Sequence, residues 1–273
     1  MSDRPVDIYQ RIRRALLAQK EIGLSEITLS RPLHELRQLS AAAATETTKA
    51  VSVAQALSGG LSTEALQTGF NLMEEPRFSS LDEHYQAIHE CQQCPLGETR
   101  TKFVYGVGNP EADLMFIGEA PGADEDRLGE PFVGRAGKLL DKILAAMGLS
   151  REEVYIANIL KCRPPGNRDP QPAEMDKCFP YLREQIRIIR PRLLCALGRI
   201  AGQALLKTST PLGKLRNRWH EFEGVPLLVT YHPAALLRFP AYKRDTWEDM
   251  QRLKARYDEL RAETAESHGH ADA

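Results

Sequence analysis

The sequence lacks any apolar run long enough to cross a membrane, and it carries almost no net charge. Its first residues, MSDRPVDIYQ, have no apolar core of the kind found in signal peptides, so we expect a cytoplasmic protein. The formal net charge of −1 excludes a global electrostatic field as the means of attracting nucleic acid. Any such binding must therefore use a local basic face.

Two common phosphate-binding motifs are also missing, although residues 118–137, GEAPGADEDRLGEPFVGRAG, form a glycine-rich segment after an apolar run. A P-loop needs Ser or Thr after its lysine, but Lys138 is followed by Leu139. A dinucleotide-binding fingerprint fails because Glu111 occupies the position of its third glycine. The acidic side chains of the segment would repel phosphate, and they suit either Mg²⁺ or solvent. We therefore expect a loop that approaches a flat ligand closely, with Phe132 either stacking on that ligand or filling the core.

Composition divides the chain into three parts. Residues 1–80 combine a short amphipathic pattern with an Ala-, Ser- and Thr-rich stretch, which predicts a partly helical extension and a disordered linker. Residues 81–261 alternate between nearly apolar strands and amphipathic helices. This alternation predicts an α/β fold, a three-layer α/β/α sandwich with a mainly parallel central sheet. Pro180 predicts a kink or break near the start of one helix, and residues 262–273 predict a disordered tail.

Three segments follow predicted strands, namely GEAPG, NILKCRPPGNR and HPAALLR. In open parallel sheets, ligands bind beyond the carboxyl ends of the strands. We therefore expect these three loops to converge on one site.

The chain has only five cysteines, and in a cytoplasm they are not expected to form structural disulfides. Cys91 and Cys94 form a C-x-x-C pair, and Cys162 and Cys178 lie sixteen positions apart. Four such thiolates can enclose either zinc or a [4Fe–4S] cluster, and their spacing alone does not separate the two. The absence of a second C-x-x-C pair favours iron–sulfur. Cys195 lies in the apolar segment RLLCALG and is expected in the core.

In order and spacing, GEAPGADEDRLGEPFVGRAGKLLD, YIANILKCRPPGNRDP and TYHPAALLR resemble the motifs of the bacterial and archaeal iron–sulfur uracil-DNA glycosylases, the fourth family of that superfamily. The resemblance covers roughly residues 81–260, and the first eighty residues have no counterpart in it. It implies a DNA repair enzyme that flips uracil out of single- or double-stranded DNA and hydrolyses the N-glycosidic bond, leaving an abasic site. It also implies a [4Fe–4S] cluster, which orders the RPPGNRDPQP loop against DNA and is ligated by Cys91, Cys94, Cys162 and Cys178.

The resemblance assigns a base-reading role to one residue, a stacking role to a second and a pocket-lining role to three more. Asn158 matches the uracil-reading asparagine, whose amide accepts from uracil N3–H and donates to O4. Cytosine presents the reverse pattern, and such a bidentate contact discriminates by about 1–3 kcal/mol. Phe132 matches the aromatic that stacks on the base. Gly118, Glu119 and Ala120 match the loop beside the base, where a side chain would exclude the methyl group of thymine.

His232 resembles the electrophilic histidine of the family, which donates to uracil O2 as negative charge develops on the leaving base. Leu236, Leu237 and Arg238 match the segment that enters the duplex where the base has left.

The sequence does not decide which side chain orients the attacking water. The best-known uracil-DNA glycosylases have an aspartate where this chain has Ala120, and the resembling family shares that departure. Glu125 and Asn158 are the candidates here.

Eight basic residues near the predicted loops are expected to contact phosphates: Lys161, Arg163, Arg168, Lys214, Arg216, Arg218, Lys243 and Arg244.

Other interpretations remain. A related branch that traps the sugar covalently carries a histidine-containing insertion, which KCRPPGNRDP lacks. A sister branch with broader substrates, including deaminated purines, is not separated by sequence. Outside the enzymes, the alternatives are a non-catalytic iron–sulfur DNA-binding module associated with replication or repair proteins, and a zinc-binding scaffold. We expect a monomer, with the N-terminal extension as a possible site for a protein partner.

Overall fold

The computed structural model describes residues 77–269, with side chains up to residue 263. The N-terminal extension predicted over residues 1–80 lies almost entirely outside this range, as do its predicted helix and linker.

The described residues form six strands and nine α-helices. The strands are β1 Val107–Gly108, β2 Leu114–Gly118, β3 Tyr155–Asn158, β4 Leu193–Leu197, β5 Trp219–Phe222 and β6 Val225–Thr230. The helices are α1 Leu81–Ile88, α2 Leu96–Thr99, α3 Ala123–Leu128, α4 Arg135–Ala146, α5 Pro172–Ile189, α6 Arg199–Leu206, α7 Leu212–Leu215, α8 Pro233–Arg238 and α9 Tyr242–Gly269. A single 3₁₀ turn, Pro165–Asn167, lies between β3 and α5.

The strands form one sheet in the order β1-β3-β2-β4-β6-β5. The four inner strands are parallel to one another, and the edge strands β1 and β5 are antiparallel to their neighbours. This mixed but mainly parallel sheet confirms the predicted sheet type. Strand order reverses around β2, because the chain passes from β2 to β3 on one side and then to β4 on the other. Open α/β sheets bind ligands at such a reversal.

Strand β2 shows how the sheet is covered on both faces, because all its side chains are buried. Leu114 and Phe116 pack into a core shared with α4 and α9. Met115 and Ile117 point to the other face, into a core shared with α5 and α6. Alternate residues of a strand face opposite sides, so a strand apolar throughout requires helices on both sides. The predicted three-layer α/β/α fold is confirmed.

Helix α5 runs without a break through Pro180, so the break predicted there is wrong. Proline removes one backbone donor, but Leu182 and Ile186 in the following turns are fully buried against the sheet. Tertiary packing therefore maintains the helix. Pro172 begins it, at a position where a missing N–H costs nothing.

The last helix also differs from expectation. Helix α9 continues to Gly269, so residues 262–269 are helical and do not form the disordered tail predicted over residues 262–273. The remaining residues, 270–273, lie outside the described part. None of the described helices combines the length and apolar character needed to cross a membrane.

Candidate active site

A cavity of about 470 Å³ opens beyond the carboxyl ends of β2, β3 and β6. Its walls come from all three loops that were predicted to converge. It is lined by Glu119, Ala120, Pro121, Gly122, Glu125, Phe132, Ala136, Asn158, Pro164, Asn167, Arg168, Asp169, His232, Ala234 and Arg238. The volume lies within the range of small-molecule sites.

The floor of the cavity is built by a close approach of Gly118, Asn158 and Phe132. Gly118 ends β2 directly opposite Asn158 at the end of β3. A Cβ atom at Gly118 would lie 2.3 Å from Asn158 Oδ1 and 2.6 Å from Phe132 Cζ. Only glycine therefore allows the amide and the ring to meet there.

Asn158 carries an unused hydrogen-bond acceptor in this floor. The residue is 2% exposed, and its Oδ1 has no hydrogen-bond partner among the described residues. A buried acceptor without a partner costs about 1–3 kcal/mol. Such an atom beside a cavity is suited to receive a donor from a ligand.

The ring of Phe132 stands in a strained turn that Arg151 stabilises. Phe132 has φ of +55°, a region that non-glycine residues seldom adopt. Arg151 Nη1 donates to Phe132 O at 3.1 Å, and Nη2 donates to Pro131 O at 2.8 Å. Asp141 holds the same guanidinium at 2.9 Å. Sequence reasoning missed Arg151, because nothing in its local pattern signals a contact with a loop twenty residues earlier.

Glu125 fixes the other side of this loop. Its Oε1 accepts from Val133 N at 3.0 Å and from Gly134 N at 2.9 Å, and its Oε2 accepts from Gly122 N at 3.1 Å. Three of the roughly four lone-pair positions of the carboxylate are thereby used. The structure gives Glu125 the task of shaping the loop, and the water-orienting role stays a prediction.

Glu119 lines the cavity, and its pKa is shifted strongly toward neutral pH. Burial, and then the negative charge of Asp169, raise the pKa of Glu119 to about 7, and Arg199 opposes this shift. Asp169 and Arg199 form an ion pair at 2.6 Å that joins the β3–α5 loop to α6. Glu119 can therefore exchange a proton near neutral pH.

His232 follows β6 and caps α8. Its Nδ1 accepts from Ala234 N at 3.1 Å, which places the proton of the neutral ring on Nε2. Burial, and then the positive charge of Arg238, lower the pKa of His232 to about 4. The ring stacks against Phe132, with centroids 5.4 Å apart and an interplanar angle of 30°. The site thus holds a neutral imidazole with a donating Nε2–H.

The three residues predicted to enter the duplex lie in helix α8, which turns them in different directions. Leu236 is 2% exposed and belongs to the core, so its predicted intercalating role is wrong in this structure. Leu237 is 40% exposed, and Arg238 is exposed and lines the cavity. Successive helical residues point about 100° apart, so one of two adjacent leucines must face inward.

The eight basic residues expected to contact phosphates differ in burial and in their ion pairs. Lys161 is completely buried, so its predicted contact with DNA is wrong. Arg168 is bound by Glu174 at 2.6 and 2.9 Å, and Arg216 is bound by Asp245 and Asp249. The others are exposed or half-buried: Arg163, Lys214, Arg218, Lys243 and Arg244.

Lys161 belongs to a buried polar network behind the cavity. Its Nζ donates to the main-chain oxygen of Asn158 at 3.1 Å and to Gln185 Oε1 at 2.5 Å. Gln185 Nε2 donates in turn to Tyr105 O at 3.1 Å. Burial lowers the pKa of Lys161 to about 7, while Cys178 and Cys162 act in the opposite direction. The network fixes the end of β3. Nothing in the sequence around Lys161 indicates that its side chain points inward.

Four of the cysteines share one region beside this network, and all are free of disulfides. Cys162 and Cys178 are buried, whereas Cys91 and Cys94 are half-buried. Cys162 interacts electrostatically with Cys94 and Cys91, and Cys178 interacts with Cys162 and Cys94. Cys195 is 0% exposed on β4, which confirms its expected place in the core.

Hydrogen-bond donors surround the sulfurs of this cysteine region. Lys161 N donates to Cys178 Sγ at 3.2 Å, and Tyr181 Oη donates to Cys91 Sγ at 3.2 Å. Arg100 Nη1 lies 3.4 Å from Cys162 Sγ. Over residues 77–269, no three His, Cys, Asp or Glu side chains are close enough to form a preformed metal site.

Comparison with known proteins agrees with this geometry. The sequence profile of the uracil-DNA glycosylase superfamily matches residues 105–251, more than half of the chain. Over 182 residues the chain is 45% identical to the type-4 uracil-DNA glycosylase of Archaeoglobus fulgidus, covering 64% of this chain and 92% of that protein. The type-4 uracil-DNA glycosylase of Saccharolobus solfataricus is 44% identical over 184 residues, covering 64% and 85%. A type-5 uracil-DNA glycosylase from Pyrobaculum aerophilum is 34% identical over 146 residues, covering 47% and 64%.

The fold and the cavity thus define a protein of the uracil-DNA glycosylase superfamily. Within it, the type-4 matches are longer and more similar than the type-5 match. The chain belongs to the type-4 uracil-DNA glycosylase family.

Proposed function

We propose that this chain is a monofunctional DNA glycosylase that excises uracil from single- and double-stranded DNA and leaves an abasic site. The reaction breaks the bond between C1′ of deoxyribose and N1 of uracil, and a water oxygen bonds to C1′. The water loses one proton, and the departing uracil anion takes up a proton and leaves as neutral uracil. The observation that carries the proposal is the unpaired Asn158 amide oxygen in a cavity that also holds the Nε2–H of His232.

Asn158 would read the edge of the flipped base. Its amide accepts from uracil N3–H and donates to O4, a pattern that cytosine cannot satisfy. Phe132 would stack on the base, supported by Arg151 from behind. Gly118, Glu119 and Ala120 would line the side of the base where thymine carries its methyl group.

His232 would stabilise the departing uracil. Its Nε2–H aims at O2, and the hydrogen bond strengthens as negative charge develops on the base. A neutral donor suits this task, because the lowered pKa keeps the ring uncharged at neutral pH. Comparable preorganised donors contribute about 3–4 kcal/mol to transition-state stabilisation.

The attacking water must be oriented by a polar group of the cavity. Glu119 joins Glu125 and Asn158 as a candidate to orient it, because Glu119 lines the cavity and has a pKa of about 7. A carboxyl group that titrates near the working pH is suited to accept a proton from water.

The four thiols of the cysteine region are not gathered into a preformed site, but their chemistry suits a [4Fe–4S] cluster ligated by Cys91, Cys94, Cys162 and Cys178. Burial raises the pKa of Cys178 to about 12 and also raises the pKa of Cys162, so thiolates here require a cation to offset the burial. The donors from Lys161 N, Arg100 and Tyr181 are of the kind that support cluster sulfurs. When bound, the cluster would order the β3–α5 loop, with no redox part in the hydrolysis.

We expect the enzyme to act as a monomer in the cytoplasm, where its DNA substrate would be found. A protein partner bound through residues 1–80 stays a prediction. The non-catalytic DNA-binding module is disfavoured, because a binding module needs no neutral histidine aimed into a base-sized cavity.

The test is cleavage of a labelled oligonucleotide carrying one uracil, followed by alkali to cut the abasic site. We expect the full chain, purified with its metal, to cut at uracil and not at cytosine or thymine. An inactive protein with the iron and sulfide of one cluster would overturn the glycosylase assignment in favour of the binding module. A colourless protein containing zinc would overturn the cluster assignment alone.

A further inference from the structure

Two exposed apolar side chains flank Arg238 at the rim of the cavity. Phe239 is 55% exposed and Leu237 is 40% exposed. In the described part of the chain, the remaining large hydrophobic residue of comparable exposure is Leu128, at the end of α3. Large apolar side chains that are exposed together beside a ligand site indicate a contact surface.

The backbone of Phe239 is fixed on both sides. Its N–H donates to Ala235 O at 2.8 Å, which ends helix α8. Its carbonyl accepts from Tyr242 N at 3.1 Å. Pro240 follows and restricts the backbone conformation of Phe239. The residue is therefore presented on a rigid turn, so little backbone entropy remains to be lost when it contacts a partner.

Behind Phe239 lies an aromatic stack formed with Tyr242 and Tyr231. The Phe239 ring lies 5.6 Å from that of Tyr242, which is parallel to Tyr231 within 4° at 4.2 Å. The Arg216 guanidinium lies 4.3 Å from the Tyr231 ring. Asp249 holds Arg216 at 2.8 Å, so the aromatic stack is anchored in the protein interior.

The charges around this stack favour a nucleic-acid partner over an apolar protein surface. Arg238 and Arg244 are exposed and Lys243 is half-buried, all within six residues of one another. Apolar side chains bordered by cations complement a DNA duplex, in which stacked bases are bordered by phosphates. Flipping a nucleotide leaves a gap that exposes the faces of the remaining bases, and an aromatic ring can cover such a face.

We propose that Phe239 stacks on a base of double-stranded DNA beside the gap left by the flipped uracil, and that the aromatic stack supports it there. The inference rests on the proposed glycosylase function and adds to it a residue that contacts duplex DNA. Single-stranded DNA has no such gap, so Phe239 contributes to excision from duplexes only.

The test compares uracil excision from one oligonucleotide sequence as a single strand and as a U·G duplex. Phe239→Ala is expected to lower kcat/KM on the duplex by about 5- to 150-fold, the range that corresponds to loss of one stacked base. On the single strand it is expected to stay within about twofold of the wild type. Phe239→Trp should retain duplex activity, and Leu128→Ala is the matched control for removal of an exposed apolar side chain.

A second readout detects the stack directly. A fluorescent adenine analogue placed next to the uracil in the same strand of the U·G duplex should be more strongly quenched by the wild type than by Phe239→Ala. Equal losses on both substrates would overturn the proposal, and so would unchanged duplex activity. Cutting of the single strand by the wild type tests the glycosylase function separately, so failure of the two proposals can be distinguished.

Discussion

The ring of His232 stacks on the ring of Phe132, with centroids 5.4 Å apart and an angle of 30° between the planes. The two residues come from different loops, one after β6 and one after α3, and both line the cavity. The proposed donor to the leaving base and the proposed stacking surface therefore support each other. A change in either residue should disturb both functions.

Replacing His232 is expected to impair the chemical step. His232→Ala should lower the single-turnover rate of uracil excision by about 10²- to 10³-fold, because the donor to O2 is lost. His220→Ala is the matched control, since His220 lies on the edge strand β5 and bonds Leu215 O outside the cavity. Equal rates for the two variants would contradict the role of His232.

Replacing Asn158 is expected to affect base recognition. Asn158→Ala should lower kcat/KM for uracil by about 10- to 100-fold, because a bidentate contact is lost. The same change should raise the free energy of unfolding or leave it unaltered, because it removes a buried acceptor that has no partner. Asn109→Ala, at a turn outside the cavity lining, is the control for activity. Urea unfolding and excision assays on both variants test the combination, and a large loss of stability in Asn158→Ala would contradict it.

The pKa of Glu119 predicts a pH-dependent stability. In the folded protein this pKa is raised to about 7 from its ordinary value near 4.5. The folded state therefore holds a proton that the unfolded state releases, and stability falls as pH rises from 4.5 to 7. Glu119→Gln should remove this loss and be more stable than the wild type by about 1–3 kcal/mol at pH 8, with little difference at pH 4.5. Urea midpoints of both proteins at the two pH values measure it, and a pH-independent difference would contradict the raised pKa.

The two leucines of α8 should behave oppositely. Leu236→Ala is expected to lower the free energy of unfolding by about 2–5 kcal/mol, because it leaves a cavity in the core. Leu237→Ala should change stability by less than about 0.5 kcal/mol and reduce excision from duplex DNA. Chemical denaturation and duplex cleavage of the pair distinguish a core residue from a DNA contact. A Leu236→Ala variant as stable as the wild type would contradict the assignment of Leu236 to the core.

The cysteines provide a matched test of the proposed cluster. Cys178→Ala is expected to lose iron, sulfide and the brown colour, whereas Cys195→Ala keeps them because Cys195 is a core residue on β4. Removing iron with a chelator should weaken DNA binding, because the β3–α5 loop loses its order. Iron analysis and absorbance spectra decide the matter without an activity assay. Retention of full iron by Cys178→Ala would contradict its role as a ligand.

The sequence predicted those parts of the site that depend on chain order and strand ends. Gly118, Asn158 and His232 follow or end buried strands, and the parallel sheet brings strand ends together. It failed where the direction of a side chain decides the outcome. Lys161 and Leu236 sit in segments that carry the motifs, yet both point inward because of packing that no local pattern reveals.

Long-range contacts explain the other omissions. Arg151 holds the turn of Phe132, and Gln185 binds Lys161 from the middle of α5. Each is an ordinary helix or turn residue by its sequence neighbourhood. Their roles arise only when the fold places them against a loop distant in the chain.

The unpaired oxygen of Asn158 has one further consequence, which concerns the empty protein. A binding site that lacks a hydrogen bond is less stable empty than filled, so any ligand that supplies the missing donor raises the melting temperature. Free uracil, the released product, carries that donor. The enzyme and its product should therefore stabilise each other, and a glycosylase of this design would slow as uracil accumulates.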